Sequence, residues 1–460
     1  VGLVLAGLML AMLLGALDQT IMAPALPAVA GSLAGPGGLD QMPAVVTAYL
    51  VAATVVMPVY GKLGDRFGRK LMMQVAIVVF VAGAVLCSLA ATMPQFIVFR
   101  AIQGVGGGGL MIGAQAVIGE LVSPRERGRY LGLIGAMYIV AAVGGPLVGG
   151  FFIDSVGWRW IFAIYPPLGV LAFVLLTASL RLPRPVSRAP VDYAGAVTLA
   201  VAVLGVVMLG QSGNPSYLAV TAAGVVAWLV SARLATDPIL PLRLFRDRAF
   251  AVPVAISLLV GFALFGTITY MPAYLQIALG AGATQAGLLV TALMGGVLAT
   301  TVVSGRLITR TGRYKGYPIA GTALAAAGLA ALPLAGHGAA ALAGVLLVIG
   351  LGVGLVMQVM VLAAQNSVDY ADLGTATSAV TFLRQIGASA GVALVGALIT
   401  AQVPGTADPS HVPAAARAAF ADAVPSVFAA MAPLLGLAFL LALALPARPL
   451  RTTAHAEERA

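Results

Sequence analysis

The feature that most restricts this chain is a succession of apolar stretches, each roughly twenty residues long, separated by short polar turns. A helix of that length crosses about 30 Å of hydrocarbon at about 1.5 Å per residue. The stretches are rich in Ala, Leu, Val and Gly and lack the two-residue alternation of a barrel strand. Only 9% of the residues are charged against 61% hydrophobic, and mean hydropathy is +1.04. A water-soluble chain of 460 residues could not cover its surface with so little charge. Lipid is therefore the solvent, and in lipid every backbone polar group needs an internal partner, which leaves helices.

Fourteen transmembrane spans are predicted, near 3–26, 43–60, 71–91, 95–120, 129–153, 158–180, 191–211, 215–234, 249–278, 284–305, 316–334, 339–363, 375–401 and 421–445. An even number places both termini on one side. The net charge of +10 invites a nucleic-acid reading, but the basic residues form neither patch nor arm. Twenty-one of the 25 Lys and Arg residues fall in the tail or in the loops after spans two, four, six, eight and ten. That is the positive-inside pattern, so the basic side is expected in the cytoplasm. The loop around Asp369 and Asp372 is acidic and breaks the trend. The first span is too long for a cleavable leader, and the single cysteine, Cys87, excludes an internal disulfide.

The string GKLGDRFGRK at 61–70 returns as GRLITRTGRY at 305–314, with Gly61, Leu63, Arg66, Gly68 and Arg69 matching Gly305, Leu307, Arg310, Gly312 and Arg313. Both copies follow an even-numbered span, the second and the tenth. The economical plan is two parallel six-helix halves, 1–180 and 249–445, with two inserted helices in 181–248 and a tail at 446–460. In transporters built on repeated halves, the substrate site lies near mid-membrane between them.

GKLGDRFGRK resembles the signature loop between helices two and three of the major facilitator superfamily. Three further segments are similar to the 14-helix drug:proton antiporter branch, the Qac-type and Emr-type exporters. They are LDQTIMAPALP (17–27) in span one, FRAIQGVGGG (99–108) in span four and the Gly-rich run ending GGPLVGG (144–150) in span five. There are two departures: Ala141 stands where the span-five motif usually has Gly, and Tyr165-Pro166 stands where the branch commonly has Asn-Leu or Asn-Val. The resemblance covers the whole chain. It implies a major-facilitator fold in a bacterial plasma membrane, acting as a monomer on small amphiphilic substrates and protons.

Asp18 is the one acid predicted well inside a span. An ionised Asp at a helix centre costs roughly 2.5–3.5 kcal/mol on insertion scales, and such residues mark ion pathways. Leaving water disfavours the charged form of a carboxyl, which suits a proton carrier. The competing reading is a helix-end residue wetted by a kink at Pro24 and Pro27. Arg100 in span four lies within about 5 Å of Asp18 in depth by helical rise. In the family's fold both helices line the first half's cavity, so Arg100 would modulate Asp18; otherwise it snorkels to the outer interface. Gln103 shares its helix face.

In the 61–70 loop, Gly61 and Gly64 permit close approach, and both they and Arg66 count among the candidate latch residues, the plainer reading of the loop being topogenic charge. By the resemblance, Asp65 faces the N-terminus of span thirteen near Gly374 and Thr375. Arg69 would join Asp65 and Glu120 to form a conformational latch. Thr309 replaces Asp65 in the second copy, so that latch is expected on one side only. Gly132, Gly145, Pro146, Gly149 and Gly150 give span five small faces and a kink, either to seal against the second half, as the resemblance implies, or simply to pack.

Substrate-cavity candidates are Tyr49, Gln276, Met357, Gln358, Gln365, Asn366, Phe382 and Gln385. With little negative charge beyond Asp18, monovalent lipophilic cations or neutral amphiphiles are favoured over divalent cationic drugs. GVGGGG (104–109) satisfies a dinucleotide-loop pattern inside a membrane helix, and GASAG (387–391) a hydrolase pattern without its strand or histidine. Neither carries weight, and no metal-spaced cluster or Walker loop occurs, so no enzyme activity, cofactor or metal is expected. The expected function is proton-coupled export of drugs, organic cations or other amphiphiles. The alternatives are export of an endogenous lipid or secondary metabolite, or a non-transporting receptor or scaffold.

Overall fold

The computed structural model describes residues 2–34, 42–182, 192–212, 214–279, 283–336, 338–403 and 417–450. Among them there are helices and turns and no strand. In chain order the helices are α1 (Gly2–Ala34), α2 (Met42–Phe67), α3 (Arg69–Leu89), α4 (Met93–Leu121), α5 (Pro124–Ser155) and α6 (Tyr165–Ser179). Then come α7 (Tyr193–Ser212) and α8 (Ser216–Leu234). The remainder are α9 (Arg248–Leu279), α10 (Ala283–Thr311), α11 (Gly316–Ala331), α12 (Ala339–Asn366), α13 (Leu373–Gln402), α14 (Arg417–Ala429) and α15 (Ala432–Ala444). Among the described residues, 13 helical spans are long and apolar enough to cross a membrane, with α14 and α15 together making one; Tyr193–Leu209 in α7 is a shorter apolar helix. Large apolar side chains point outward, among them Leu147, Phe151, Val174 and Val226. In water such exposure would drive association, whereas acyl chains satisfy it.

Local chemistry sets several boundaries. The Thr92 hydroxyl accepts from the Gln95 N–H, and Pro94 occupies the first turn of α4. Of the four described glycines with positive φ, one is Gly68 (φ 98°) between α2 and α3 and another is Gly312 (φ 69°) after α10. Gly68 and Gly312 are one of the two glycine pairs that match in the internal repeat. The last predicted span is interrupted at Ala430 and Met431, just before Pro433 in the first turn of α15. Arg184, Arg188, Arg451, Arg459 and most of the 404–420 loop lie outside the described residues.

α4 packs against α1, α2 and α3. A Cβ at Gly104 would stand 2.5 Å from the Tyr49 carbonyl oxygen, and one at Gly106 would stand 2.6 Å from the Phe80 Cβ. The GVGGGG run therefore lets two neighbouring helices approach α4 along its length. In the second half α9 lies along α13, and α10 along α12. The halves meet where α2 crosses α13 and where α10 crosses α5. At the first crossing a Cβ on Gly61 would be 2.7 Å from the Gly374 carbonyl oxygen. At the second, a Cβ on Gly305 would be 2.9 Å from the Gly128 carbonyl carbon. Gly61 and Gly305 are repeat partners, so each copy supplies the small residue at one crossing.

The inserted pair α7–α8 packs on itself, and α7 also touches α2 and α13. Asp192 ties the pair together, accepting from the Gly195 N–H at 2.7 Å and the Ser231 hydroxyl at 3.1 Å. The strand of chain from α8 to α9 is anchored to both halves. Lys62 pairs with Asp237. Arg243 donates to both Asp372 oxygens, at 2.9 and 2.7 Å. Asp372 precedes the first residue of α13, which gives the acidic exception among the loops a structural partner.

Overpacking at a close crossing costs about 1–3 kcal/mol. Gly305→Val should therefore lower the thermal unfolding midpoint of the detergent-solubilised protein. Gly344→Ala should hold it constant or raise it, because a Cβ there meets nothing within 4 Å and Ala is the better helix former.

Candidate functional site

The helical backbone of α1 runs without interruption through positions 24 and 27, so Asp18 lies deep inside a helix and its side chain is 0% exposed. The structure brings Asp18 and Arg100 together. One terminal nitrogen of Arg100 donates to both carboxylate oxygens of Asp18 at 2.8 Å and to the Gln103 Oε1 at 2.8 Å. The Gln103 Nε2 returns a bond to Asp18 at 2.9 Å, and the Cys87 thiol lies 3.7 Å from the Gln103 Oε1. The guanidinium carbon sits 4.5 Å from the centre of the Tyr49 ring. Arg100 thus faces inward instead of snorkelling. A carboxylate, a cation and an amide bridge form a connected set of charge-assisted bonds buried inside the protein.

Tyr165 is a member of this cluster that sequence reasoning missed. Its ring packs edge-on to Phe80 at 5.4 Å. Its hydroxyl is turned towards the Asp18 carboxylate but falls short of hydrogen-bond geometry. The available signal was the departure at Tyr165-Pro166, where an aromatic hydroxyl begins α6. On the other side of α1, the Thr20 hydroxyl donates to the Ala141 carbonyl at 2.8 Å, and Gly145 leaves room for the Thr20 side chain. The position of the other departure therefore holds α5 against α1.

A second charged cluster closes the end of the molecule that carries the 61–70 loop. Asp65 accepts from the N–H of Gly374 at 3.0 Å, the N–H of Thr375 at 3.0 Å and the Thr375 hydroxyl at 3.1 Å. Arg69 pairs with the same carboxylate, and its Nε lies 3.3 Å from a Glu120 oxygen. Gly64 makes space for the Arg69 guanidinium. An anion at the exposed N–H groups of α13 also meets the favourable end of the helix dipole. Arg66 stands apart from this group, with its guanidinium 5.0 Å from the Phe67 ring centre.

The repeat-related crossing is held with the opposite polarity. Arg125, in the first turn of α5, donates to the carbonyls of Thr309 at 3.2 Å and Arg310 at 3.1 Å at the end of α10. The Thr309 hydroxyl bonds back to its own helix at Gly305. A cation on a helix C-terminus thus stands where the first copy sets an anion on an N-terminus.

The remaining candidates separate into groups. Gln365 is not at mid-depth. Its amide donates to the Gln115 carbonyl at 3.2 Å and the Thr377 hydroxyl at 2.9 Å, inside the seal between halves. Asn366 ends α12 and donates to the Pro449 carbonyl, so it holds the following tail. Phe382 is 1% exposed and packs in the apolar core. All three take part in packing where α12 and α13 converge, and the amide oxygens of Gln365 and Asn366 stay buried without a partner among the described residues. Met357, Gln358 and Gln385 are partly buried, and Tyr49 belongs to the Asp18 cluster. Gly132 and Gly149 are buried, and Gly132 lies close to the Thr301 carbonyl across the halves. A Cβ at Gly150 would meet nothing within 4 Å. The side chains of Gln276 and Pro146 lie outside the described ones.

The family model of the Major Facilitator Superfamily matches residues 8–392. The chain belongs to this superfamily. Its likeness to the MFS-type transporter Rv1877 of Mycobacterium tuberculosis is 40% identity over 86% of this chain and 59% of that protein. The chain therefore spans about six tenths of that relative's length. The multidrug transporter protein MdtP of Bacillus subtilis is 34% identical over 87% of this chain and 75% of its own. The fold matches the proton:xylose symporter XylE with a TM-score of 0.68 at 18% identity, covering 99% of this chain and 98% of that one. These superfamily relatives are transporters and not enzymes, and the many apolar helices make this chain a multi-pass membrane protein.

Arg100→Leu leaves Asp18 buried without its cation, a change that costs about 3–5 kcal/mol. The midpoint of thermal unfolding should fall markedly and recover in the Asp18→Asn, Arg100→Leu pair. Asp65→Ala removes an ion pair and three hydrogen bonds to α13. Each hydrogen bond to a charged group is worth about 1.5–3 kcal/mol. Amide exchange at 373–378 should accelerate at least about tenfold, read by mass spectrometry, without global unfolding.

Proposed function

We propose that this chain is a proton-coupled antiporter that exports lipophilic or amphiphilic compounds by alternating access. The observation that carries the reading is the Asp18–Arg100–Gln103 cluster, a titratable carboxyl in the membrane interior whose charge is balanced by a single cation. A proton delivered to an Asp18 oxygen removes the negative charge. Arg100 then keeps its hydrogen bond to Gln103 and its place over Tyr49 but loses its counter-ion. The α1–α4 contact is therefore weaker in the protonated state. Differential stability of two protonation states is what couples a proton gradient to a conformational equilibrium.

The other half of the reading is the gate. The basic end is cytoplasmic by the positive-inside rule, with the membrane that of a bacterial cell and both ends of the chain inside. The α2–α13 and α5–α10 crossings, with Asp65, Arg69, Glu120 and Arg125, then close the path on the cytoplasmic side. The halves 1–180 and 249–445 rock about this interface, and 181–248 rides with them. Outside, protons load Asp18 while substrate leaves; inside, the order reverses. The relatives named as multidrug transporters and efflux pumps favour drug-like amphiphiles as cargo.

Reconstitution into liposomes with an internal pH indicator tests the proposal. Wild type should show substrate-dependent proton movement. Asp18→Asn should reduce it to the level of empty liposomes while leaving the protein folded. Undiminished coupling in that variant would remove Asp18 as the carrier, and lipid-only transport would select the endogenous-substrate alternative.

A further inference from the structure

The second half of the molecule contains a buried charge that the mechanism above does not use. Arg384 lies on α13, about 16 Å along the helix from Leu373 at 1.5 Å per residue, which is near mid-membrane. It is 8% exposed. Among the described residues its hydrogen bond runs from a terminal nitrogen to the Met357 carbonyl at 3.5 Å, the weak limit of such a bond. Among the described residues no carboxylate pairs with it. The helices α9 to α13 contain no acidic residue. Asp18, the acid of the other half at depth, is already neutralised by Arg100.

Two more polar groups converge here without partners. The buried hydroxyl of Tyr138 on α5 makes no hydrogen bond among the described residues, and it lies close enough to Arg384 to feel its charge. Gln358, next in sequence to the carbonyl that Arg384 touches, reaches across to α5. Its Nε2 is 3.3 Å from the place of a Cβ on Gly135, one turn before Tyr138 on the same helix face. The Gln358 Oε1 is also buried and unbonded. On its far side, the Arg384 backbone is backed closely by Gly261 of α9. A guanidinium and a carboxamide of the second half thus lie about a phenol of the first, and the guanidinium brings donors in excess. A buried cation without a counter-ion is strongly unfavourable in this medium, and among the described residues none pairs with it.

We propose that Arg384, Tyr138 and Gln358 form an anion-recognition subsite for the exported compound, so that the preferred cargo is an amphiphile bearing one carboxylate or sulfonate. The inference rests on the transport reading for its biological sense, but not for its chemistry. It reverses the expectation of cationic cargo, because the acid that would attract a cation is paired and the unpaired charge is positive. Since its groups come from α5, α12 and α13, an anion bound there joins the halves at mid-depth.

Equilibrium binding to the full chain in lipid nanodiscs tests this with three probes sharing one ring system: naphthaleneacetate, naphthaleneacetamide and naphthylmethyl-trimethylammonium. Wild type should bind the anion at least about tenfold more tightly than the amide, the size expected for a charge-assisted bond, and the cation more weakly than the amide. Arg384→Gln should bring the anion down to the amide, and Arg384→Lys should keep part of the preference. Tyr138→Phe should weaken the anion and spare the amide, which keeps the test decisive where Arg384→Gln fails to fold. A wild type that prefers the cation, or that binds none of the three, overturns the proposal, as does a folded Arg384→Gln that retains the preference. Anion preference with no gradient-driven export would fail the transport reading alone.

Discussion

A carboxylate and a guanidinium meet between α1 and α4 in a medium that tolerates neither by itself, and that contact organises the first half. Asp18 and Arg100 share two bonds of 2.8 Å, and Gln103 bridges them. Placing them there demands that α1 and α4 come close, and the Gly-rich face of α4 draws in α2 and α3 around them. Tyr49 then covers the guanidinium with its ring, and Tyr165 packs its edge on Phe80 beside the acid. The low dielectric that makes a lone charge so costly also strengthens this small network, so its charge state has leverage over helix packing.

The two crossings between halves obey a common rule. Each pairs a side chain of one half with the exposed backbone groups at a helix end of the other. Asp65 meets N–H groups of α13, and Arg125 meets carbonyls of α10. Each crossing is also permitted by a glycine from one copy of the same ten-residue repeat. The repeat thus preserved the close approach while the electrostatic contact changed sign. A latch expected on one side only has a counterpart whose charge comes from α5, outside the repeated string. The linker adds a further tie through Asp237 and Arg243, which connect with Lys62 on α2 and with Asp372 before α13.

Length and apolarity of the segments, the loop charges, the repeated turn and the lone acid in span one are all legible in the sequence. They depend on local sequence alone: a helix must be long enough for the bilayer, and a charge in it must have a reason. The all-helical membrane fold and the superfamily therefore needed no tertiary information. What residues 82 apart in sequence, Asp18 and Arg100, do to one another could only be framed as matching depths. The direction of a side chain around its helix, inward for Arg100 and beside Phe67 for Arg66, follows from which helices surround it.

Tertiary structure alone decided the partners. Gln365 and Asn366 look like cavity polar residues because they sit in an apolar helix, yet the convergence of α12 with α13 and with the following tail gives their amide N–H groups partners in the protein itself. Tyr165 looked like a deviation at a helix end and is a wall of the acid's site. Arg384 and Tyr138 are 246 positions apart, and no periodicity links them. Only the packing of α5 against α12, and of α12 against α13, sets a phenol beside an arginine that has no acid of its own. Sequence fixes which groups enter the membrane; the fold determines which of them are satisfied there, because satisfaction is a property of neighbours and not of residues.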